Sequence, residues 1–270
     1  MPHRKPAPLT ADSADGLALP LPRAADQDPV VTAAEPSLPP PPVLWRRVPA
    51  GRVLAFAPHP DDEVAGPGGA LALHAAQGDV VRVVVATDGT SGDPDGRHAP
   101  GALAALRRRE SQDGLRLLGV DDVRFWGFPD GHVLSATDLQ NAAALAAREL
   151  AEHRPDVVYL PWELDGHPDH HRLHVVVTRA LDATGFRGLA LGYEVWNAMV
   201  PDVIVETTSV FPRKQAAMLA HASQIAYTQY DHCLGGLAAY RSLAHLRGRG
   251  YGEAFRRVRG SLPASLAEPT

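Results

Sequence analysis

The stretch AFAPHPDDEVAG, residues 55–66, sets His59, Asp61, Asp62 and Glu63 directly behind an apolar run. A second stretch, DGHPDHH, residues 165–171, puts His167, Asp169 and His170 behind DVVYLP. His59 and Asp62 stand three apart where a helix begins, so that short side chains can converge on one point, and His170 stands directly before the helical run HRLHVVVTRALDA. Two imidazoles and one carboxylate form a three-ligand set that leaves the fourth position of a tetrahedral zinc open for water. An open position implies catalysis, because the pKa of water held there falls to about 7 when a base can take its proton. Asp61, beside Asp62 but pointing elsewhere, is assigned as that general base. His167 is expected to face the same metal from the substrate side and, protonated, to stabilise an oxyanion or donate to a leaving amine. Asp169 is expected to hold the His167 ring nitrogen and keep it charged.

These residues need elements to position them. RVLAFA, VVRVVVAT, VRFWGF, DVVYLP and LALGYEV read as strands, being short, rich in β-branched or aromatic residues and bounded by Gly, Pro or Asp. Between them, GGALALHAAQGD closes with Gly78 as a helix C-cap, LAALRRRESQDGLRLLGV closes with Gly119, and DLQNAAALAARELAEHR stops before Pro155. Strand and helix in alternation imply parallel pairing with helices on both faces, a three-layer α/β/α sandwich around a mostly parallel, Rossmann-like sheet. In such sheets ligands bind beyond the carboxyl ends of the strands. PHPDDE, TDGTSGDPDG and DGHPDHH all leave strand ends on that side.

With 270 residues and 45% apolar content the chain can bury one sizeable core. A net charge of -5 leaves no surplus of Lys and Arg for a phosphate backbone, so small molecules are better partners than nucleic acid. The single cysteine, Cys233, provides neither an internal disulfide nor a Cys-based zinc site, which leaves His and carboxylates as metal ligands and favours the cytoplasm. No window reaches the roughly 18 apolar residues of a membrane span, and no apolar run behind the basic N-terminus reads as a signal peptide. The first 42 residues hold 11 of the 25 prolines and few residues able to build a core. Residues 1–45 are therefore expected to form a disordered proline-rich tail, and residues 46–270 the catalytic domain. Homo-oligomer formation is left open.

The two motifs resemble the signatures (P/A)HPDDE and HPDH of the PIG-L/LmbE-like family of zinc-dependent N-deacetylases. The resemblance covers about residues 53–258 and extends to TDGTSG, to RRRESQDGLRLLGV with its R-x-x-E pattern, to FPDG and YEVW, to K-x6-H-x-S-Q over residues 214–224, and to YGEAF. It implies a hydrolase of linear amides that removes an N-acyl group, usually acetyl, from an N-acetylglucosamine-type amino sugar or its conjugate. By the same resemblance His59, Asp62 and His170 bind Zn2+, Asp61 is the base, and His167 is the electrophilic or acid partner. Asp61 returning its proton and His167 are both candidate donors to the amine. Arg107 matches the R-x-x-E arginine and is a candidate to reach the substrate or the metal-site carboxylates, against a solvated helix face shared with Arg108 and Arg109. Asp130 in FPDG is a candidate for binding sugar hydroxyls, against a plain turn aspartate.

His174, four after His170, could extend the metal set but reads better as packed on its helix, and Trp126, Tyr193 and Trp196 are candidates to stack on sugar rings. His221 could approach the pocket or sit buried with a backbone partner. Two rival readings remain: a metal-dependent phosphoesterase, disfavoured because imidazole suits zinc better than magnesium, and a non-catalytic sugar-binding protein with the tail as its docking segment.

Overall fold

The computed structural model describes residues 39–131 and 135–267. Its strands explain themselves by burial on two faces. In β2 (Arg52–Ala57), Val53, Ala55 and Ala57 face one apolar layer while Leu54 and Phe56 face the other. In β5 (Val157–Pro161), Val157 and Tyr159 join the first layer, and Val158 and Leu160 the second. Such unbroken apolar runs are what a parallel strand covered on both sides requires. β3 (Val80–Thr87), β4 (Asp122–Phe128) and β6 (Leu189–Tyr193) complete a parallel block, joined on one edge by β1 (Val43–Trp45), β7 (Val203–Glu206) and β8 (Gly252–Arg259). The sheet has eight strands in the order β1-β7-β8-β6-β5-β2-β3-β4, and only β8 runs antiparallel to its neighbours.

Helices cover both faces. Against the first layer lie α1 (Asp62–Ala65), α2 (Gly68–Ala76), α3 (Pro100–Leu118), α6 (Phe211–Leu219) and α8 (Tyr230–Arg241), through residues such as Leu71, Leu115, Met218 and Leu234. Against the second lie α4 (Ala136–His153) and α5 (Pro168–Ala183), through Ala146, Leu150, Val177 and Leu181. The short helices α7 (Ala222–Ile225) and α9 (Leu243–Leu246) complete the set among the described residues. The expected three-layer α/β/α architecture is therefore present. Gly119 caps α3 in the left-handed conformation at φ +87, whereas α2 ends one residue before the expected position, with Gln77 as cap and Gly78 following at φ +88.

Three strands were not expected. β1 and β7 are only three and four residues long, and β8 carries Arg256, Arg257 and Arg259, which hide its alternation. β1 also corrects the end of the expected tail, since Val43–Trp45 pairs with Val203–Val205 inside the sheet. Residues 1–38 lie outside the described residues. Among the described residues no helix is long and apolar enough to cross a membrane.

The C-terminal third is bonded to the start of the domain by a buried ion pair. Lys214 Nζ donates to Ala65 O and Gly66 O at 2.9 Å each and to Glu253 Oε1 at 2.6 Å. Glu253 in turn accepts from the backbone N–H groups of Gly69 and Ala70 at the head of α2. Lys214→Met would leave the Glu253 carboxylate buried without its cation, and is expected to cost about 3–5 kcal/mol in urea-unfolding measurements.

Candidate active site

β6, β5, β2, β3 and β4 are adjacent and parallel, so five loops leave their carboxyl ends side by side. β2 lies between β3 and β5, where the chain order reverses, and this is the switch point at which such sheets bind ligands. The loop after β2 carries His59 and Asp61 and runs into α1 at Asp62, and the loop after β5 leads through Asp165 and His167 into α5.

The structure brings His59, Asp62 and His170 together. Asp62 Oδ2 lies 3.0 Å from His59 Nδ1 and 3.1 Å from His170 Nε2. The far nitrogen of each ring also faces carboxylates. His59 Nε2 is 3.2 Å from Asp130 Oδ1 and 3.4 Å from Asp169 Oδ2, and His170 Nδ1 is 3.4 Å from Asp165 Oδ1. Asp165 is held by the backbone N–H groups of Val195 and Trp196, which donate to its Oδ2 at 2.9 and 3.1 Å. Burial opposes charge on both rings, yet the surrounding carboxylates outweigh it. His59 is held well above the usual histidine value by hydrogen bonds to Asp130, Asp169 and Asp62, and His170 rises to about 9 beside Asp62. Burial also works to raise Asp62, but the charge of the His170 ring beside it and the hydrogen bond from His59 hold its carboxyl well below the usual range. The pocket thus favours positive charge between these groups. Two sets of ligand atoms lie mutually within 4.8 Å of one another: His59 with His167 and His170, and His59 with Asp130 and Asp169.

Arg107 is not on a solvated face. It is only 3% exposed and donates to Gly89 O at 2.7 Å, to Pro60 O at 3.1 Å and to Asp61 Oδ2 at 2.9 Å. Its guanidinium therefore ties together the loops after β2 and β3 and fixes one oxygen of Asp61. Burial pushes Asp61 up to about 6, against the pull of Arg107. Glu63 stands behind it, fully buried, accepting from Asp61 N at 3.0 Å and from Ser111 Oγ at 2.6 Å, and burial pushes its carboxyl up to about 8.

Two expectations are corrected. The Asp169 carboxylate does not hold the His167 ring; it faces His59 Nε2 and accepts from Arg172 Nη1 at 2.6 Å. Instead the backbone N–H of Asp169 donates to His167 Nδ1 at 3.2 Å, because His167 is the N-cap of α5. A ring nitrogen that accepts carries no proton, so His167 is neutral with its proton on Nε2, and burial followed by the neighbouring His59 and His170 lowers its pKa further. Asp130, a candidate for binding sugar hydroxyls, lines the cavity, where it directs Oδ1 to His59 and accepts from Ser91 N with Oδ2 at 2.9 Å.

Of the candidate stacking residues only Trp196 reaches the cavity. It is 54% exposed, with its ring 6.1 Å from that of His167. Tyr193 is buried and donates to Phe56 O, and Trp126 packs against Phe56 and Phe128. His174 is packed on its helix and bonded through Nδ1 to Pro161 O at 2.8 Å. His221 does line the cavity, its Nε2 4.0 Å from Glu63 Oε1, and burial pushes it down to about 3, so it stands there neutral. Asp165 had no sequence signal beyond its place two residues before His167.

The cavity over these groups has a volume of about 190 Å³. Its far wall comes from the C-terminal third, clipped in place where Ser223 N and Oγ donate to Glu110 and Gln224 Nε2 donates to Gly92 O.

The family described as PIG-L, GlcNAc-PI de-N-acetylase, matches residues 54–181. The 1D-myo-inositol 2-acetamido-2-deoxy-alpha-D-glucopyranoside deacetylase of Kineococcus radiotolerans is 31% identical over 248 residues, covering 64% of this chain and 69% of that protein. Among solved structures, the N,N'-diacetylchitobiose deacetylase of Pyrococcus horikoshii, in complex with its inhibitor, superposes with a TM-score of 0.64 at 27% identity, covering 77% of this chain and 84% of that one. A 4-carboxy-2-hydroxymuconate hydratase from Pseudomonas putida superposes with a TM-score of 0.68 at 20% identity, covering 82% and 99%. That last likeness is one of fold alone, and it leaves the reaction to be argued from the site.

Two glycines test the placing of Arg107. Gly89 and Gly96 both have positive φ, +68 and +64, but a Cβ on Gly89 would lie 2.6 Å from Arg107 Nη1 and 2.9 Å from Pro60 Cδ, while one on Gly96 meets nothing within 4 Å. Gly96→Ala is expected to cost only the left-handed strain, about 1–2 kcal/mol. Gly89→Ala should cost more in the same unfolding measurement and also lower turnover; equal costs would contradict the close packing of Arg107.

Proposed function

Because this chain belongs to the PIG-L family, we propose that it hydrolyses the N-acyl amide of an amino sugar or amino-sugar conjugate with a zinc ion held by His59, Asp62 and His170. The observation that carries this proposal is the convergence of His59 Nδ1 and His170 Nε2 on Asp62 Oδ2, at 3.0 and 3.1 Å, with carboxylates behind the far nitrogen of both rings. Ligand histidines are oriented in that way, the far N–H given to a carboxylate. The residues fit the ion in a further respect. His170 is fully buried and its Nε2 completes no hydrogen bond, a deficit that coordination would remove. Two imidazoles also suit zinc better than magnesium, which argues against a phosphoesterase, and the set of His59 with Asp130 and Asp169 offers only one.

Bound zinc would supply Lewis acidity toward the amide carbonyl and bring the pKa of water in its open position to about 7. Asp61 takes a proton from the attacking water. Arg107 fixes its Oδ2, while Oδ1 has no hydrogen-bond partner among the described residues. His167, with Nδ1 bound to the Asp169 N–H, presents Nε2–H to the oxygen on which charge develops. Asp61 then returns the proton to the departing amine, since neutral His167 serves as a hydrogen-bond donor with no proton to spare.

Amine release and metal content, measured together on variants, separate these roles. Asp61→Asn should keep the metal and the fold while turnover falls roughly 10²- to 10⁴-fold. His170→Ala should lose the metal. Asp165→Asn should weaken metal binding about 10- to 100-fold in chelator competition, because the His170 ring loses its carboxylate. Full activity in Asp61→Asn would contradict the assignment of the base.

A further inference from the structure

The cavity is divided in a way that deacylation alone does not require. On the side of β3 and β4 it is lined by Ser91, Gly92, Asp130 and Gly131, joined by Gln224 through its bond to Gly92 O. On the side of β6 and the C-terminal helices the lining is mostly apolar, from Ala65, Val195, Met218 and Leu234 with the rings of Trp196 and Tyr230, and the imidazole of His221 stands among them. Asp61, Asp62 and His167 lie between the two halves, on the loops after β2 and β5. Met218 and Leu234 are buried, while Trp196 stands half exposed. Ala65 and Leu234 also wall a second cavity of about 20 Å³, whose charged residues are already paired, Lys214 with Glu253 and Arg241 with Glu194.

An amide held at Asp61 and His167 extends two arms. A sugar on the apolar side would give up water at its hydroxyls without finding partners, whereas an alkyl chain there gains burial. Resting on the proposed deacylase reading, we infer that the acyl group removed is an unbranched aliphatic chain longer than acetyl, lying across Ala65, Met218 and Leu234 with the sugar on the Ser91 and Asp130 side. In the reaction the amide C–N bond breaks, the oxygen of water joins the acyl carbon to give a carboxylate, and the nitrogen takes both of the water's protons and leaves as the ammonium form of the amine.

The test uses the zinc-loaded full chain. Amine release is measured from N-acetyl-, N-butyryl- and N-hexanoyl-glucosamine, and calorimetry measures the affinity for acetate, butyrate and hexanoate, the acids released. Both kcat/KM and affinity should rise about fourfold per methylene, and Met218→Gln should flatten the rise. Acetyl as the best substrate, or affinities that stay flat with chain length, would overturn the inference. Affinities that rise while no amide is cleaved would uphold the apolar arm and sink the deacylase reading alone.

Discussion

Asp62 sets the main constraint on this molecule. A carboxylate taken out of water costs several kcal/mol unless it is paired and hydrogen-bonded. Here one oxygen accepts from His59 N and lies within 3.1 Å of two imidazole nitrogens. Those rings could swing away if nothing held them from behind, and the next shell of acids does so: Asp130 and Asp169 at His59, Asp165 at His170. Asp165 is fixed in turn by the backbone of Val195 and Trp196, the same segment that walls the cavity. The geometry around Asp62 is thus continuous with the surface that a substrate would meet.

Arg107 organises the other half. One buried guanidinium bonds to Pro60, Asp61 and Gly89, so the loops after two neighbouring strands are tied to each other. Glycine at 89 leaves the guanidinium its room. The C-terminal third closes the cavity through polar clips, Glu110 to Ser223 and Gln224 to Gly92, and through the buried Lys214–Glu253 pair. Such contacts fix direction as well as energy, as a cavity with one polar and one apolar half demands.

Much of this was legible in the sequence, for identifiable reasons. β2, β3, β5 and β6 carry apolar side chains toward both layers and β4 is rich in aromatics, so their runs stand out, and the two acidic, histidine-bearing motifs fall directly after β2 and β5. β1, β7 and β8 were not legible, being very short or studded with arginine. Nor was the partition among Arg107, Arg108 and Arg109, since only packing against Asp61 distinguishes the first. Asp165 and Asp130 act by contact with rings that lie in other segments or a helical turn away, and no spacing rule announces this. The Asp169 role failed for a related reason: the N-cap geometry of α5 gives His167 a backbone N–H where a carboxylate had been expected.

The most direct measurement is anomalous diffraction from crystals of the full chain soaked in zinc. A single peak in contact with His59 Nδ1, Asp62 and His170 Nε2 is the predicted result. A peak on the opposite side of His59, held by Nε2 with Asp130 and Asp169, would contradict it, because the metal would then stand away from Asp62 and His170, and the water activated by Asp61 would have to be found elsewhere.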